Sequence, residues 1–483
     1  MKISFYSVLV ISISLVLSIG SVNAQRADIQ KMTPEERKAY GEKLRAASQA
    51  DWQKTMQSFK LSEPVLPSLA DDPKRPQHLK IKEGSTSWVD DANSTYTRSG
   101  WGNWSNYDES KAEGYKLPDP LVLKTGKPVT SANMWWKQRR PEILNDYTTE
   151  IYGKIPANTP NVTFAHAGVD SVVLAGKANR STIIGQVDNS RYPTATPSIP
   201  VTLYKPVGAS ATGKSEKMPL MVIVWGNFPA PMATIEKLIT AGWAVATVNT
   251  GAIQLDSGAG LHEGIIGLMS KGADRKPDDW GVLAAWSWGL SRALDYLETD
   301  KSIDASRIGI QGHSRWGKAA LLAGALDPRW DIVFASCSGS MGASLEKRNF
   351  GETIDNVASA GEYHWMAPNF VKYGGNWEAM PVDAHELIAL IAPRPVFITG
   401  GTRDTWADPK GEFLACVAAS PVYTLLGKKG VGTREMPAPD VALIDGELAF
   451  RNHEGGHVDS LDWPVFLEFA QRQFKNSSVQ KNK

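Results

Sequence analysis

The chain has 483 residues, 42 % of them apolar and 21 % charged, with 52 basic against 51 acidic side chains. Its length leaves room for roughly two to three ordinary domains or one long α/β unit, and its apolar fraction excludes an intrinsically disordered chain. The charge balance excludes the basic footprint that nucleic-acid or anionic-membrane binding needs, so no nucleic-acid partner is expected.

In chain order, Lys2 is a minimal charged start, Val8 to Ile19 an apolar core and Val22-Asn23-Ala24 a small-residue cleavage site. Residues 1–24 therefore read as a signal peptide, too short and too early for a membrane anchor. The mature protein is expected to be exported, either periplasmic or secreted. Two cysteines without close spacing make no disulfide framework, so Cys337 and Cys416 are expected as free, buried thiols.

Residues 25–110 read as an N-terminal helix followed by an extended arm. Thr33-Pro34-Glu35-Glu36 is a capping box with Pro at the first helical position, and the helix can run to about Phe59. The polar stretch from Lys60 to Leu117 has no periodicity long enough for a domain, and is expected to wrap the main body.

Residues 111–483 read as one α/β unit. Short branched apolar runs at Val201 to Tyr204, Leu220 to Trp225, Ala244 to Val248, Ile308 to Ile310, Ile332 to Ala335 and Val396 to Thr399 suit strands buried on both faces. Helical patterns fall between and after them, at Ala233 to Ala241, Trp280 to Leu297, Trp316 to Ala325, Ala384 to Ile391, Glu412 to Ala419 and Trp463 to Phe474. This alternation predicts a mostly parallel central sheet with helices on both faces, a three-layer sandwich whose sites form at the carboxyl ends of the strands.

The apolar strand that runs into Gly312-His313-Ser314 is followed at once by a helix beginning Arg315-Trp316-Gly317-Lys318. That is the layout of a nucleophile elbow, in which a tight turn lifts a Ser hydroxyl above the sheet edge. The helix N-terminus and the Arg315 N–H then favour developing negative charge. The spacing departs from Gly-x-Ser-x-Gly, since Trp316 stands where the second Gly belongs; the plainer alternative makes Ser314 a helix cap.

A serine nucleophile needs a base and an orienting acid, in the chain order Ser, acid, His. His457, in a Gly-Gly-His loop ahead of the last helix, is the candidate base, whereas His385 lies in a helical run and is expected to pack. His453-Glu454-Gly455-Gly456-His457 also fits the zinc pattern H-E-x-x-H, but adjacent glycines cost about 1 kcal/mol each in a helix, so a loop without metal is expected. Asp404, just after the strand Val396 to Thr399, is the better candidate acid. Asp408 precedes Pro409 and is expected to cap the next helix.

The run Gly312-His313-Ser314-Arg315-Trp316-Gly317-Lys318 resembles the Gly-x-Ser-Arg-x-Gly-Lys signature of the glucuronoyl esterases, carbohydrate esterase family 15 of the α/β-hydrolase superfamily, which accounts for the displaced Gly. The likeness continues in Leu117 to Leu121, Arg139 to Glu142, Trp280 to Asp300, Asn349 to Thr353, Leu390 to Pro395, Trp406 to Pro409 and Gly455 to His457. It implies hydrolysis of the ester between (4-O-methyl-)glucuronic acid of xylan and lignin alcohols, by a monomer without cofactor or metal.

Carried over by position, the resemblance makes Ser314 the nucleophile, His457 the base and Arg315 an oxyanion-hole group. Lys318 and Glu352 become the partners of the sugar hydroxyls, and Trp406 a wall beside the ring. A second oxyanion donor is expected from the Asn227-Phe228 turn. One position departs from the family pattern: where many members carry the triad Glu before a Ser-Gly stretch, this chain has Cys337. A thiol supplies no fixed negative charge for an imidazolium, so the acid must come from elsewhere; Asp404, after the later strand, is similar to the alternative position used by some bacterial members, and Cys337 is expected to pack. The rival readings are another plant-wall esterase, acetyl xylan or feruloyl, and an inactive carbohydrate-binding relative.

Overall fold

The structure, a computed structural model, describes residues 32–208, 217–226 and 228–481. The expected signal peptide and the turn residue Asn227 lie outside the described residues. Helix α1 (Pro34–Ser58) begins with the expected capping box: Thr33 Oγ1 accepts from the Glu36 N–H, and the Glu36 carboxylate accepts from the Thr33 N–H. It docks through buried Trp52 and Met56, and the Trp52 indole N–H donates to the Ala358 carbonyl at 2.8 Å.

The arm that follows is more ordered than its composition suggests. Strands β1 (Lys80–Ile81), β2 (Trp88–Val89) and β3 (Thr95–Tyr96) form a small antiparallel sheet. Two-residue strands are too short to leave a periodic signal. Long-range contacts hold the arm instead: the buried Asp72 carboxylate accepts from Arg98 at 2.7 Å and from the Trp104 indole at 2.9 Å.

The main sheet has 11 strands. They are β4 (Val162–His166), β5 (Ser171–Val173), β6 (Ala178–Val187), β7 (Ser198–Pro206), β8 (Met218–Trp225), β9 (Ala244–Asn249), β10 (Ile303–His313), β11 (Ile332–Ser336), β12 (Val396–Gly401), β13 (Ala442–Leu443) and β14 (Leu448–His453). The order is β13-β14-β12-β11-β10-β8-β9-β7-β6-β4, with β5 also paired to β6. From β14 through β9 all neighbours are parallel, while β7, β6, β5, β4 and β13 join antiparallel. The six strands expected from the sequence are present. The sequence shows no run for β6 because from Ser181 to Val187 it alternates buried with more accessible residues, so it has no continuous apolar stretch.

Six further helices cover the sheet: α2 (Met232–Thr240), α3 (Val282–Leu297), α4 (Arg315–Leu326), α5 (Ala384–Ile391), α6 (Pro409–Leu425) and α7 (Trp463–Lys481). Alternate residues of one strand serve two cores. On β11, Val333 and Ala335 face a cluster with α3, α4, α5 and α6, whereas Ile332 and Phe334 face α2 and α7. This is the three-layer arrangement that period-2 side-chain alternation makes when helices cover both faces. Among the described residues no helix is long and apolar enough to cross a membrane.

Candidate active site

Parallel register brings the chemistry together. His313 pairs with Ser336 across β10 and β11, Ser336 with Thr399 across β11 and β12, and Gly401 with His453 across β12 and β14. The loops that leave these strands carry Ser314, Cys337, Asp404 and His457, so residues far apart in sequence share one edge of the sheet.

Ser314 has φ 59° and ψ −131°, a conformation that L-residues seldom adopt and that marks a strained elbow. Its N–H donates to the Ser336 carbonyl at 2.9 Å, and its carbonyl accepts from Gly317 at 2.8 Å. The turn requires glycine at position 312, since a Cβ there would lie 2.0 Å from the Trp316 carbonyl oxygen. Thus the displaced glycine spacing still builds an elbow, with α4 starting immediately after Ser314.

His457 sits on a loop, not a helix, and the zinc-helix geometry is not formed. Its Nδ1 lies 2.6 Å from Asp404 Oδ2. A carboxylate only accepts, so Nδ1 carries the proton and Nε2 is left as the acceptor. Asp404 is buried, and its N–H donates to the Gly401 carbonyl, which ties the acid to the end of β12. The His313 ring lies 4.4 Å from the His457 ring. Burial, and then the neighbouring His457, push His313 down to about 3, so it is a neutral packing partner. Asp408, as expected, caps α6 by accepting from the Gly411 N–H, and it is paired with Arg348 at 2.9 Å. His385 is buried and bonded to the Pro118 carbonyl.

Both thiols are free and buried. Cys337 lies beside the His457–Asp404 pair, and a ligand atom from each of the three lies within 4.8 Å of the others. Burial first, and then the Glu412 and Asp404 carboxylates, push its thiol well up, so it stays neutral. Packing and proximity to the site coincide here: the residue is inside, yet beside the pair.

The Arg315 guanidinium pairs with Asp256 at 2.7 Å and lies over the Trp365 ring at 5.1 Å. Asp256 also accepts from His364 Nε2 at 3.0 Å and from the Trp365 indole at 2.6 Å. Burial opposes its charge, but His364 and Arg315 hold the carboxyl well below the usual range. Behind this cradle stands α1, whose Asp51 accepts from the Tyr363 hydroxyl at 2.5 Å.

Lys318 is 2 % exposed, and its ammonium donates to the Glu352 carboxylate at 2.6 Å and to the carbonyls of Ser338 and Ser340. Its three donors are therefore committed inside the protein, and its effect is to fix the charge and orientation of Glu352. The loop at Gly339 passes so close that a Cβ there would meet Glu352 Oε2 at 2.6 Å. The Glu352 N–H donates to the Trp406 carbonyl at 2.7 Å, which joins the half-buried Trp406 to the same cluster.

Two groups in this site carry little sequence signal. Glu362 has a buried Oε2 without a hydrogen-bond partner, and burial followed by the nearby Glu352 raises its carboxyl to about 8. Asp256 is marked only by its place after β9. At the end of β8, Trp316 stacks on Trp225 at 5.9 Å and meets Phe228 edge-on at 5.8 Å, with Phe228 57 % exposed.

A serine elbow and a His–carboxylate pair on adjacent strand ends define the class as an α/β-hydrolase, and known proteins narrow it. A family profile described as glucuronyl esterase of fungi matches residues 205–427. The chain is 34 % identical over 424 residues to carbohydrate esterase MZ0003 from an unknown prokaryotic organism, covering 80 % of this chain and 95 % of that one. It is 28 % identical over 319 residues to the 4-O-methyl-glucuronoyl methylesterase of Schizophyllum commune, covering 64 % and 74 %. A CE15 glucuronoyl esterase from Teredinibacter turnerae superposes with a TM-score of 0.74 at 35 % identity, over 88 % of this chain and 100 % of that one. The chain is a carboxylic ester hydrolase. It belongs to the glucuronoyl esterases, carbohydrate esterase family 15.

Proposed function

We propose that this protein hydrolyses the ester between the carboxyl of (4-O-methyl-)glucuronic acid on xylan and a lignin alcohol, with Ser314, His457 and Asp404 as its triad. The observation that carries the proposal is the 2.6 Å His457–Asp404 bond beside the strained Ser314 elbow, on the edge where Lys318, Glu352 and Trp406 also meet. His457 Nε2 takes the Ser314 Oγ proton as Oγ attacks the uronic carbonyl. Asp404 stabilises the imidazolium, which then protonates the departing alcohol, and water repeats the sequence on the glucuronoyl-enzyme to release the acid.

Charge develops on the carbonyl oxygen in both steps, so donors aimed there matter most. The Arg315 backbone N–H and guanidinium are assigned this role, each worth roughly 3 kcal/mol at the transition state. The Asp256–His364–Trp365 cradle holds the guanidinium in place. Glu352, oriented by Lys318, receives the sugar hydroxyls, and Trp406 covers one side of the ring.

The glucuronoyl side is assigned to the groups around Lys318, Glu352 and Trp406, and the alcohol side to the end of β8, where the exposed Phe228 and the Trp316 edge suit an aromatic alcohol. Residues 1–24 are proposed as a cleavable leader that exports the enzyme, and a monomer is proposed as its working form. The helix and arm of 25–110 then serve as a support for the catalytic unit of 111–483.

The test compares initial rates on benzyl glucuronate, acetylated xylan and methyl ferulate, with Ser314→Ala as the control. The proposal requires the glucuronate ester to be fastest and the Ala variant to lose that turnover. Faster acetate or ferulate release would overturn it, and so would a wild type inactive on all three.

A further inference from the structure

The arm reaches the loops of the candidate site. Between Trp104 and Lys111 it runs along the loop that ends at Glu352: the Gly351 N–H donates to the Asn106 carbonyl at 2.9 Å, and the Asn106 amide to the Asn349 carbonyl at 3.3 Å. Glu109 continues the seam by pairing with both Arg348 and Lys410, the latter two residues past Asp408. The arm is therefore anchored to the two loops that carry Glu352 and Trp406.

On this anchored stretch the aromatic rings form a row. His78 meets Tyr96 at 5.8 Å, Tyr96 meets Tyr107 at 4.6 Å, and Tyr107 meets Phe350 at 5.9 Å, all edge-to-face. Phe350 is buried two residues before Glu352, Tyr107 and Tyr96 are half-buried, and His78 is exposed. The row thus leads from the Glu352 cluster outward to solvent. The Tyr107 hydroxyl donates to the Thr95 carbonyl at 2.9 Å, which locks the ring to β3. Asp404 is near enough that its charge, after burial, helps to raise the Tyr107 phenol.

Fixed, half-buried aromatic rings offer apolar area at low conformational cost, and their faces and edges suit the C–H faces of neutral sugars. Asp90 and Asp108 lie close enough to Tyr96 to raise its phenol after burial does. Carboxylates there accept hydroxyl groups but repel an anionic chain.

We propose that Tyr96 and Tyr107, with His78 at the outer end, form a platform for the neutral pyranose units of the main chain that carries the esterified uronic acid. The proposal rests on the glucuronoyl esterase reading above and deepens it by naming the residues that would hold the polysaccharide main chain. A main chain is favoured over an aromatic alcohol as the occupant because the row joins the Glu352 loop through Phe350, whereas Phe228 and Trp316 are a separate aromatic pair.

The test is the ratio of kcat/KM on methyl-esterified glucuronoxylan to kcat/KM on benzyl glucuronate. In Tyr96→Ala and Tyr107→Leu, separately and combined, this ratio falls at least fivefold in the double variant; a ratio within twofold of wild type overturns the platform. A selective loss on the benzyl ester relative to methyl glucuronate also overturns it, because the row would then serve the alcohol. Calorimetric titration with unesterified neutral xylo-oligosaccharides reads the platform without turnover. Saturable binding weakened in Tyr96→Ala supports the platform even if the esterase reading fails, and identical binding in both proteins removes it. If Tyr107→Leu does not fold, Tyr96→Ala on the short outer strand carries the same comparison.

Discussion

Nδ1 of His457 stands 2.6 Å from Oδ2 of Asp404, and the buried thiol of Cys337 lies within 4.8 Å of ligand atoms of both. In the proposed triad the acid comes from the end of β12 instead of the end of β11, two neighbouring strands whose carboxyl ends open onto the same edge. An imidazole over that edge can be served from either loop.

Asp404→Asn is therefore expected to lower kcat about 10³- to 10⁴-fold on benzyl glucuronate, since an amide stabilises neither the required tautomer nor the imidazolium. Cys337→Ala is expected to leave kcat largely unchanged. Steady-state kinetics of the two variants decides the matter; a near-silent Asp404 change removes it as the acid.

Asp256 touches no substrate atom in the proposed chemistry and acts through Arg315. Asp256→Asn keeps the size but loses the ion pair that holds the guanidinium. The expected result is a fall in kcat of about tenfold or more with little change in KM, the pattern of an interaction made mainly in the transition state. A rise in KM at constant kcat would instead place Arg315 in ground-state binding.

Lys318 and Glu352 form a buried pair whose side chains are 3 % and 6 % exposed. Removing one partner leaves the other charge buried, so Lys318→Met is expected to destabilise the fold by about 3 kcal/mol in urea unfolding. Adding Glu352→Gln removes the stranded carboxylate and should recover part of that loss. A double variant as unstable as the sum of the singles would show that the two are not coupled.

Glu362 makes stability depend on pH. Its carboxyl is raised to about 8 from an ordinary 4.5. The folded protein thus keeps a proton that the unfolded chain releases above its ordinary value. The stabilisation is complete below that value and is lost as pH rises through about 8. Glu362→Gln is neutral at every pH, so the stability of the variant relative to wild type should increase between pH 5 and 8.5, by about 1 kcal/mol or more. Paired melting curves check this, and a constant difference would mean that Glu362 is already ionised in the folded protein at pH 5.

Local chemistry explains which parts were legible in the sequence. The strand, turn and helix around Ser314 follow from adjacent residues: an apolar run, a glycine where backbones nearly touch, and a helix start. The capping box of α1 is equally local, as is the Asp408 cap. Five of the six parallel strands are visible because burial on both faces leaves them nearly continuously apolar, whereas β14 ends in Arg451, Asn452 and His453 and shows no such run. The His457 loop and Asp404 needed one further piece of information, the chain order of the triad on such a sheet.

What the sequence by itself determined is the elbow, the parallel core and the group of residues that resembles the glucuronoyl esterases. Only the tertiary structure decided that Arg315 is held by Asp256, His364 and Trp365, that the Lys318 donors are spent on Glu352 and two carbonyls, and that Tyr107 lies beside the Glu352 loop. The reason is separation along the chain. Asp256 and Arg315 are 59 residues apart, and Asn106 stands next to Gly351, so no local pattern links them. Packing of helices on a twisted sheet sets those distances, and with them the charge and orientation of each group.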